Sequence, residues 1–163
     1  MRVFGIDPGS RHTGWGVVEC VGSSSRALAW GRLSPSERLP LGERLLEIAE
    51  GLARLLDQHR PEMAAVECVF HGESSRALIV LAEARGALLV TLARAGLPFA
   101  ELTPATIKSA VAGSGRADKE QVARMVKLQL GLPPAALPRD VTDALAVALA
   151  CGQSAGRGRF FAP

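Results

Sequence analysis

The sequence predicts an α/β fold in which helices flank a five-stranded mixed sheet. Two observations carry this prediction: the first three β-like segments are joined as a meander of antiparallel strands, and the later β-like segments alternate with helical ones. In that order the first and fourth strands can lie side by side and parallel. The length of 163 residues fits one domain, for which we expect residues 1–153, followed by a short basic tail over residues 154–163.

The strands are predicted from apolar runs separated by turn residues. Five segments have strand character: residues 2–6, 14–20, 26–33, 63–69 and 97–102. Pro8, Gly9 and Ser10 end the first strand, and a Gly-Ser-rich turn over 22–25 joins the next two. The fourth segment is a continuous apolar run interrupted only by Glu67, which is typical of a central strand covered on both faces.

The helices are predicted from apolar spacing and from their capping residues. Five segments have helical character: residues 41–60, 75–95, 104–112, 119–130 and 140–152. Pro61 ends the first helix. Thr103 followed by Pro104 is an N-cap with proline at the first helical position, and Asp118 caps the next helix. The second helix is apolar on more than one face.

Composition and charge exclude several classes of protein. No apolar run approaches the roughly 20 residues that span a bilayer, and no signal segment is evident, so we expect a cytoplasmic protein without a membrane partner. Three cysteines without C-x-x-C spacing indicate buried thiols rather than a disulfide framework or a zinc site. The net charge is only +3, but the whole excess lies in residues 101–163, which indicates a modest basic surface there.

Four acidic residues lie inside or at the ends of predicted elements rather than on solvated helix faces: Asp7, Glu67, Asp140 and Asp143. A buried unpaired carboxylate is costly, so Glu67 needs a cation, a hydrogen-bond donor or an exposed strand end. A structural glutamate at the strand edge is the alternative. Asp140 and Asp143 are three residues apart, which places their side chains about 5–6 Å apart on one helix face. An ordinary capping pair is the alternative for these two.

Convergence of these four acids would require cations. Each close pair of carboxylates costs about 4 kcal/mol at an effective dielectric constant of ~20, and divalent ions resolve that repulsion. Oxygen-only ligands suit Mg²⁺ or Mn²⁺. Two such ions about 4 Å apart can activate a water and stabilise the attacking and leaving oxygens of a phosphodiester. The acids therefore predict a two-metal hydrolase that needs no histidine or serine nucleophile.

Four motifs together carry a family likeness: residues 5–16 (GIDPGSRHTGWG), 65–70 (AVECVF), 84–86 (ARG) and 140–146 (DVTDALA). In this order and spacing the chain resembles the RuvC family of Holliday-junction resolvases. The resemblance implies a ribonuclease-H-like fold, a homodimer, and metal-dependent paired cuts in a four-way DNA junction that leave 5′-phosphate and 3′-hydroxyl ends, in recombination and repair. It also implies a RuvA-RuvB branch-migration complex as partner, and metal-binding catalytic roles for the four acids.

Contacts to DNA are expected at five residues. The resemblance implies that Phe70 packs against bases near the crossover and that Lys108 and Lys119 lie beside the scissile phosphate. Lys108, Arg116 and Lys119 also flank a glycine-bearing loop suited to a phosphate backbone, and Arg76 can add to that surface. Core packing is the alternative for Phe70 and a plain solvated loop for the basic residues. Arg157 and Arg159, in the tail, either contact DNA or belong to a disordered segment.

Three rival functions stay open at this point. A related ribonuclease-H-like nuclease acting on structured RNA shares the same acids. An actin-like ATPase lobe can use Asp7-Pro8-Gly9 as a phosphate turn, although that architecture needs two lobes and this chain has length for one. A structural junction-binding protein would bind the same DNA without cutting it.

Overall fold

A computed structural model describes residues 1–68, 75–133, 135 and 137–155. The strands are β1 (Arg2–Asp7), β2 (Thr13–Val21), β3 (Ser24–Leu33), β4 (Met63–Glu67) and β5 (Phe99–Leu102). The helices are α1 (Leu41–His59), α2 (Ser75–Arg94), α3 (Pro104–Ala112), α4 (Lys119–Leu130) and α5 (Arg139–Ala155). No helix in these described ranges is long and apolar enough to cross a membrane.

The five strands form one mixed sheet in the order β3-β2-β1-β4-β5. β1 pairs antiparallel with β2 and parallel with β4, and β4 pairs parallel with β5. The predicted α/β class, the antiparallel meander and the parallel pairing of the first and fourth strands are confirmed. The carboxyl ends of β1, β4 and β5 therefore meet at one edge of the sheet, where Asp7 and Glu67 end their strands.

Several element boundaries differ from the sequence prediction, each by one to three residues. β5 begins at Phe99 rather than at residue 97, because Pro98 has no N–H to donate and only its carbonyl accepts from Ala64, at 2.9 Å. β4 ends at Glu67, and Val69 lies outside the described residues. α5 begins at Arg139 rather than at Asp140, and it continues through Ala155, so the first two residues of the predicted tail are helical.

Apolar side chains fill both faces of the sheet. One cluster joins β1 and β2 to α3, α4 and α5, and includes Val18, Leu145 and Leu149. The other packs α1 and α2 against the opposite face through residues such as Phe4 and Ile48. α5 is the most buried helix, since Val141, Thr142 and every residue from 144 to 152 are buried. Its position is therefore fixed by packing on β1 and β2.

Glycines in β1 and β2 allow α5 to approach the sheet closely. A Cβ at Gly5 would overlap the backbone of Ala144 and lie 2.6 Å from the amide of Ala148. A Cβ at Gly14 would overlap the backbone carbonyl of Asp140. The N-terminal turn of α5 thus rests directly on the strand residue that pairs with Asp7.

Candidate active site

One row of residues crosses the sheet at the carboxyl end of β1. Gly14 pairs with Asp7 on one side and with Arg32 on the other. On the far side of β1, Ile6 pairs with Val66, so Glu67 is the next residue of β4 in register with Asp7. Directly opposed residues point to the same face, so Asp7, Glu67 and Arg32 project toward α5.

α5 completes a cluster of four carboxylates at this row. Its first turn lies on Gly14 and carries Asp140, and Asp143 follows one turn later on the same face. Asp143, Glu67 and Asp140 each act electrostatically on Asp7. We call Asp7, Glu67, Asp140 and Asp143 the acid cluster. The acids singled out from the sequence are therefore brought together in the fold.

Burial and mutual repulsion hold three of these acids toward their protonated forms. Burial, followed by the charges of Asp143, Glu67 and Asp140, raises the pKa of Asp7 from its ordinary 3.8 to about 8. Burial first and Asp143 second raise the pKa of Glu67. The pKa of Asp143 is also raised, mainly by burial. Strongly shifted carboxyls that face one another are typical of a functional site rather than of a structural ion pair.

Asp140 differs from the other three because it has a cationic partner. Its Oδ1 accepts hydrogen bonds from Nε of Arg32 at 2.7 Å and from a terminal guanidinium nitrogen of Arg32 at 2.5 Å. Its Oδ2 is buried and has no hydrogen-bond partner in the part of the chain that the structure describes. The two oxygens of this carboxylate thus differ in hydrogen bonding: Oδ1 accepts two hydrogen bonds, and Oδ2 accepts none from the described residues.

A small cavity next to the acid cluster joins carboxylates to lysines. It has a volume of about 230 Å³, and its lining includes Glu67, Asp143, Lys108 and Lys119. The positive charge of Lys119 lowers the pKa values of Asp7, Glu67 and Asp143, against the effects of burial. Two of the residues predicted to meet phosphate therefore lie at the acids.

Local capping explains how these lysines reach the cavity. The hydroxyl of Thr103 accepts from the amide of Thr106 at 3.1 Å, which starts α3 one turn before Lys108. Asp118 accepts from the amide of Gln121 at 2.7 Å in a capping box, which places Lys119 at the first position of α4. Both caps are confirmed as the sequence predicted them.

A basic cleft opens beside the turn that follows Asp7. Its volume is about 700 Å³, and it is lined by Pro8, Ser10, Arg11, Arg44, Arg76, Ala77, Val80 and Leu81. We call it the arginine cleft. The described lining contains three arginines and no carboxylate, although Glu37 lies 3.9 Å from Arg11 in an exposed ion pair. Nε of Arg44 is buried and has no hydrogen-bond partner among the described residues.

The other predicted site residues lie elsewhere. Arg116 lines a separate cleft with Arg124 and Met125, and it does not line the cavity that holds Lys108 and Lys119. Phe70 lies outside the described residues, as do Arg157 and Arg159 of the tail. Cys151 is buried and Cys20 and Cys68 are half-buried, and all three are free thiols.

The acid cluster fits divalent cations by the chemistry of its donors. Four carboxylates supply only oxygen ligands, and the unsatisfied Oδ2 of Asp140 is an acceptor in need of a positive partner. Within the described ranges, no three His, Cys, Asp or Glu side chains already form a set arranged to hold one ion. Because their repulsion raises the pKa values, a cation that drew the oxygens together would also ionise them.

Sequence reasoning missed Arg32 and Arg44. Arg32 reads as an ordinary polar residue in an alternating strand, and its role follows only from the pairing of Arg32 with Gly14 and of Gly14 with Asp7. The hairpin register was therefore a usable signal. Arg44 lies at the flank of the apolar stripe of α1, three residues after Leu41 and four before Ile48, and it is half-buried; this helical spacing was the available signal.

Comparisons with known proteins agree with this arrangement. The family described as "Crossover junction endodeoxyribonuclease RuvC" matches residues 3–151. A protein of that name from Chloroflexus aggregans is 44% identical over 149 residues, which is 91% of each chain, and one from Ruegeria pomeroyi is 46% identical over 151 residues, covering 91% of this chain and 89% of the relative.

A solved structure described as RuvC of T. thermophilus in complex with a Holliday junction substrate is also similar. It superposes with a TM-score of 0.92 at 39% identity and covers 98% of this chain and 97% of its own. The yeast mitochondrial Holliday junction resolvase Ydc2, at 14% identity and a TM-score of 0.66, shares the fold. The chain described above belongs to the RuvC family of crossover junction endodeoxyribonucleases.

Proposed function

We propose that this protein is a structure-selective endonuclease that resolves four-way DNA junctions in recombination and repair. The observation that carries the proposal is the acid cluster, in which half-buried, mutually repelling carboxyls adjoin a cavity lined by Lys108 and Lys119. Family membership supports the activity, and the T. thermophilus relative is described in complex with a Holliday junction. Acids that favour cations next to lysines that favour phosphate suit the hydrolysis of a nucleic-acid backbone.

The acid cluster would hold the metal on which the family depends. We assign Asp7, Glu67, Asp140 and Asp143 as catalytic metal ligands and Mg²⁺, with Mn²⁺ as a substitute, as the ion. When bound, two such ions would supply an activated water and would stabilise the attacking and leaving oxygens; cleavage of the P–O3′ bond would leave 5′-phosphate and 3′-hydroxyl ends. Asp7 is the most central of the four, since the other three all act on its charge.

Basic side chains would hold the DNA on both sides of the acids. Lys108 and Lys119, which line the cavity beside the acids, would neutralise the scissile phosphate, and Arg76 would extend the positive surface along the arginine cleft. Arg116 would contact the backbone further away, from its own cleft. Phe70 would stack on a base near the crossover, a contact worth about 1–3 kcal/mol.

The protein would act as a homodimer, so that two acid clusters meet two opposing strands. On α2 the apolar side chains of Ile79 and Val90 are each 58% exposed, and eleven residues, or about three turns, separate them on one helix face. Gly86, between them, has open space around it. A helix that packs inward through Leu88 and Leu92 and leaves this stripe outside is suited to a second copy of the chain. A RuvA-RuvB motor and a cytoplasmic location complete the proposal.

The rival functions are not favoured. An RNA-directed nuclease would share the acids, but the family match over residues 3–151 is to deoxyribonucleases that cut crossover junctions. An ATPase of the two-lobed type has no support from that match either. A structural junction-binding protein would leave unexplained why three acids are packed together at the cost of raised pKa values.

Cleavage of a synthetic four-way junction tests the proposal. In Mg²⁺ the protein should cut two opposing strands symmetrically and should leave structured RNA intact, while in EDTA it should bind the junction without cutting. Asp7→Asn should lower the cleavage rate on the order of 10³-fold, because the most central ligand is lost. Asp57→Asn, an exposed aspartate of α1, is the matched control. Cutting that is equally fast in Asp7→Asn, or tight binding without products in Mg²⁺, would overturn the proposal.

A further inference from the structure

The pair formed by Arg32 and Asp140 joins the edge strand β3 to the start of α5, 108 residues later. Both hydrogen bonds from Arg32 go to one oxygen, Oδ1, at 2.7 and 2.5 Å. The Asp140 side chain is 13% exposed and that of Arg32 is 38% exposed. The pair is therefore partly withdrawn from solvent, where a charge-assisted hydrogen bond is stronger than on an open surface.

The second oxygen of Asp140 has the opposite situation. Oδ2 is buried without a partner among the described residues, and such an atom is costly unless something else satisfies it. Asp140 also raises the pKa values of Asp7 and Asp143, so its carboxylate shares their space. The atom that Arg32 leaves free thus belongs to the acid cluster.

We propose that Arg32 is a positioning residue that holds the Asp140 carboxylate by Oδ1 and so presents Oδ2 to a divalent cation. This inference rests on the proposed metal-binding role of the acid cluster. A carboxylate ligand needs a fixed orientation, because a freely rotating side chain loses entropy on binding, and hydrogen bonds from outside the ligand set commonly provide that orientation. Arg32 does not touch the reacting phosphate in this scheme and acts only through Asp140.

The geometry requires a guanidinium rather than a positive charge alone. Nε and a terminal nitrogen converge on one oxygen, so Oδ1 is restrained by two donors of one planar group. A lysine at position 32 would keep the charge and offer a single nitrogen. The register also matters: Arg32 reaches α5 across Gly14, where no side chain intervenes.

The same strand offers a matched control. Near the other end of β3, Nε of Arg26 donates to Glu19 at 2.8 Å, and a terminal nitrogen of Arg26 lies 2.5 Å from the same carboxylate oxygen. This pair has nearly the same geometry, but it joins β3 to β2, far along the strand from the acid cluster. Loss of Arg26 tests the effect of removing a β3 ion pair without touching Asp140.

The test is the affinity for Mn²⁺ of the full-length protein without DNA, measured by electron paramagnetic resonance or calorimetry. Arg32→Ala should weaken Mn²⁺ binding about 10- to 100-fold, and Arg32→Lys should recover only part of that loss. Arg26→Ala should leave the affinity unchanged. Adding Arg32→Ala to Asp140→Asn should cause little further loss, because Arg32 acts only through the Asp140 carboxylate.

Two results would overturn the inference. If Arg32→Ala binds Mn²⁺ as tightly as the wild type, the pair is only structural; if it binds more tightly, Arg32 competes with the cation. Denaturation without metal checks that the variants fold. If Arg32→Ala is unfolded, Arg32→Lys is measured in its place, and a Mn²⁺ affinity equal to that of the wild type overturns the inference. Junction cleavage by the wild type is scored separately, so failure of the proposed function and failure of the positioning role are distinguishable.

Discussion

Two neighbouring regions of this protein collect charge of opposite sign. The acid cluster gathers four carboxylates around the end of β1, and the arginine cleft gathers Arg11, Arg44 and Arg76 around the turn that begins at Pro8. Asp7 and Pro8 are adjacent in sequence, so the two regions adjoin. Each is electrostatically unfavourable alone, and each attracts a ligand of opposite charge: a cation for the acids and a phosphodiester for the arginines. The small net charge of +3 therefore conceals a divided surface.

The largest expected effect concerns the acid cluster and pH. The pKa of Asp7 is raised in the folded protein from 3.8 to about 8, so between these values the folded state binds more protons than the unfolded state. Its contribution to stability is present below pH 4 and is lost as the pH rises toward 8. We expect the metal-free protein to lose about 5 kcal/mol of unfolding free energy over this window, relative to Asp7→Asn.

Urea denaturation at several pH values, in EDTA, measures this difference. Glu67 and Asp143 have raised pKa values too, so the unfolding free energy of Asp7→Asn should still fall with rising pH, but less steeply than that of the wild type. Mg²⁺ should flatten the slope in the wild type, since a cation favours the ionised acids. A wild type that gains stability relative to Asp7→Asn between pH 4 and 8 would show that the acids are not held together as described.

The next prediction concerns a substitution that displaces the start of α5, and with it the acid cluster, while leaving the arginine cleft unchanged. In Gly14→Ala the new Cβ would overlap the carbonyl of Asp140 and lie 3.0 Å from the amide of Val141, so the start of α5 must move. We expect a loss of about 2 kcal/mol in stability and slow cleavage, with junction binding in EDTA retained. Gly42→Ala, where a Cβ meets open space in α1, is the control and should not destabilise.

Equal loss of junction binding and of cleavage in Gly14→Ala would contradict the separation of the two regions. Cleavage at the wild-type rate would instead show that the position of α5 over Gly14 does not matter for the acids. The measurements are denaturation, filter binding in EDTA and cleavage in Mg²⁺, all on the same preparation.

A smaller effect distinguishes the acids from one another. Asp7→Asn removes a like charge and should stabilise the metal-free protein at pH 8, whereas Asp140→Asn removes the acceptor of Arg32 and should destabilise it by about 1 kcal/mol. The sign of the change in unfolding free energy, measured by denaturation in EDTA, distinguishes a repelled carboxylate from a paired one. The same sign for both substitutions would mean that Arg32 does not set Asp140 apart.

Local signals in the sequence were sufficient for much of this fold. Thr103-Pro104 and Asp118 cap their helices by contacts within three residues, and the apolar spacing of α1 reflects one face packed on the sheet. Convergence of the four acids followed from strand order and from the resemblance together. The cap interpretation of Asp140 was incomplete, since α5 begins one residue earlier and Asp140 bonds to Arg32 instead.

Contacts between distant segments were beyond such reasoning. Arg32 meets Asp140 only because a hairpin register, a glycine and the docking of α5 coincide. Arg44 is one of several charges on α1, and its place in a cleft depends on how α1 and α2 pack beside the turn after β1. Both residues act through tertiary geometry, of which the sequence carries only a partial signal: the hairpin register for Arg32 and the helical spacing to Leu41 and Ile48 for Arg44.

The smallest expected effect tests the arginine cleft itself. Nε of Arg44 is buried without a partner in the described structure, while Arg54, also on α1, is exposed and lies 3.9 Å from Glu50. Arg44→Gln should weaken junction binding in EDTA about threefold to fivefold, under 1 kcal/mol, and reduce the slope of log affinity against log salt by about 1. Arg54→Gln should change neither quantity. Equal behaviour of the two variants would show that the cleft does not meet phosphate, and the division between a cation-binding and a phosphate-binding region would then rest on the acids and lysines alone.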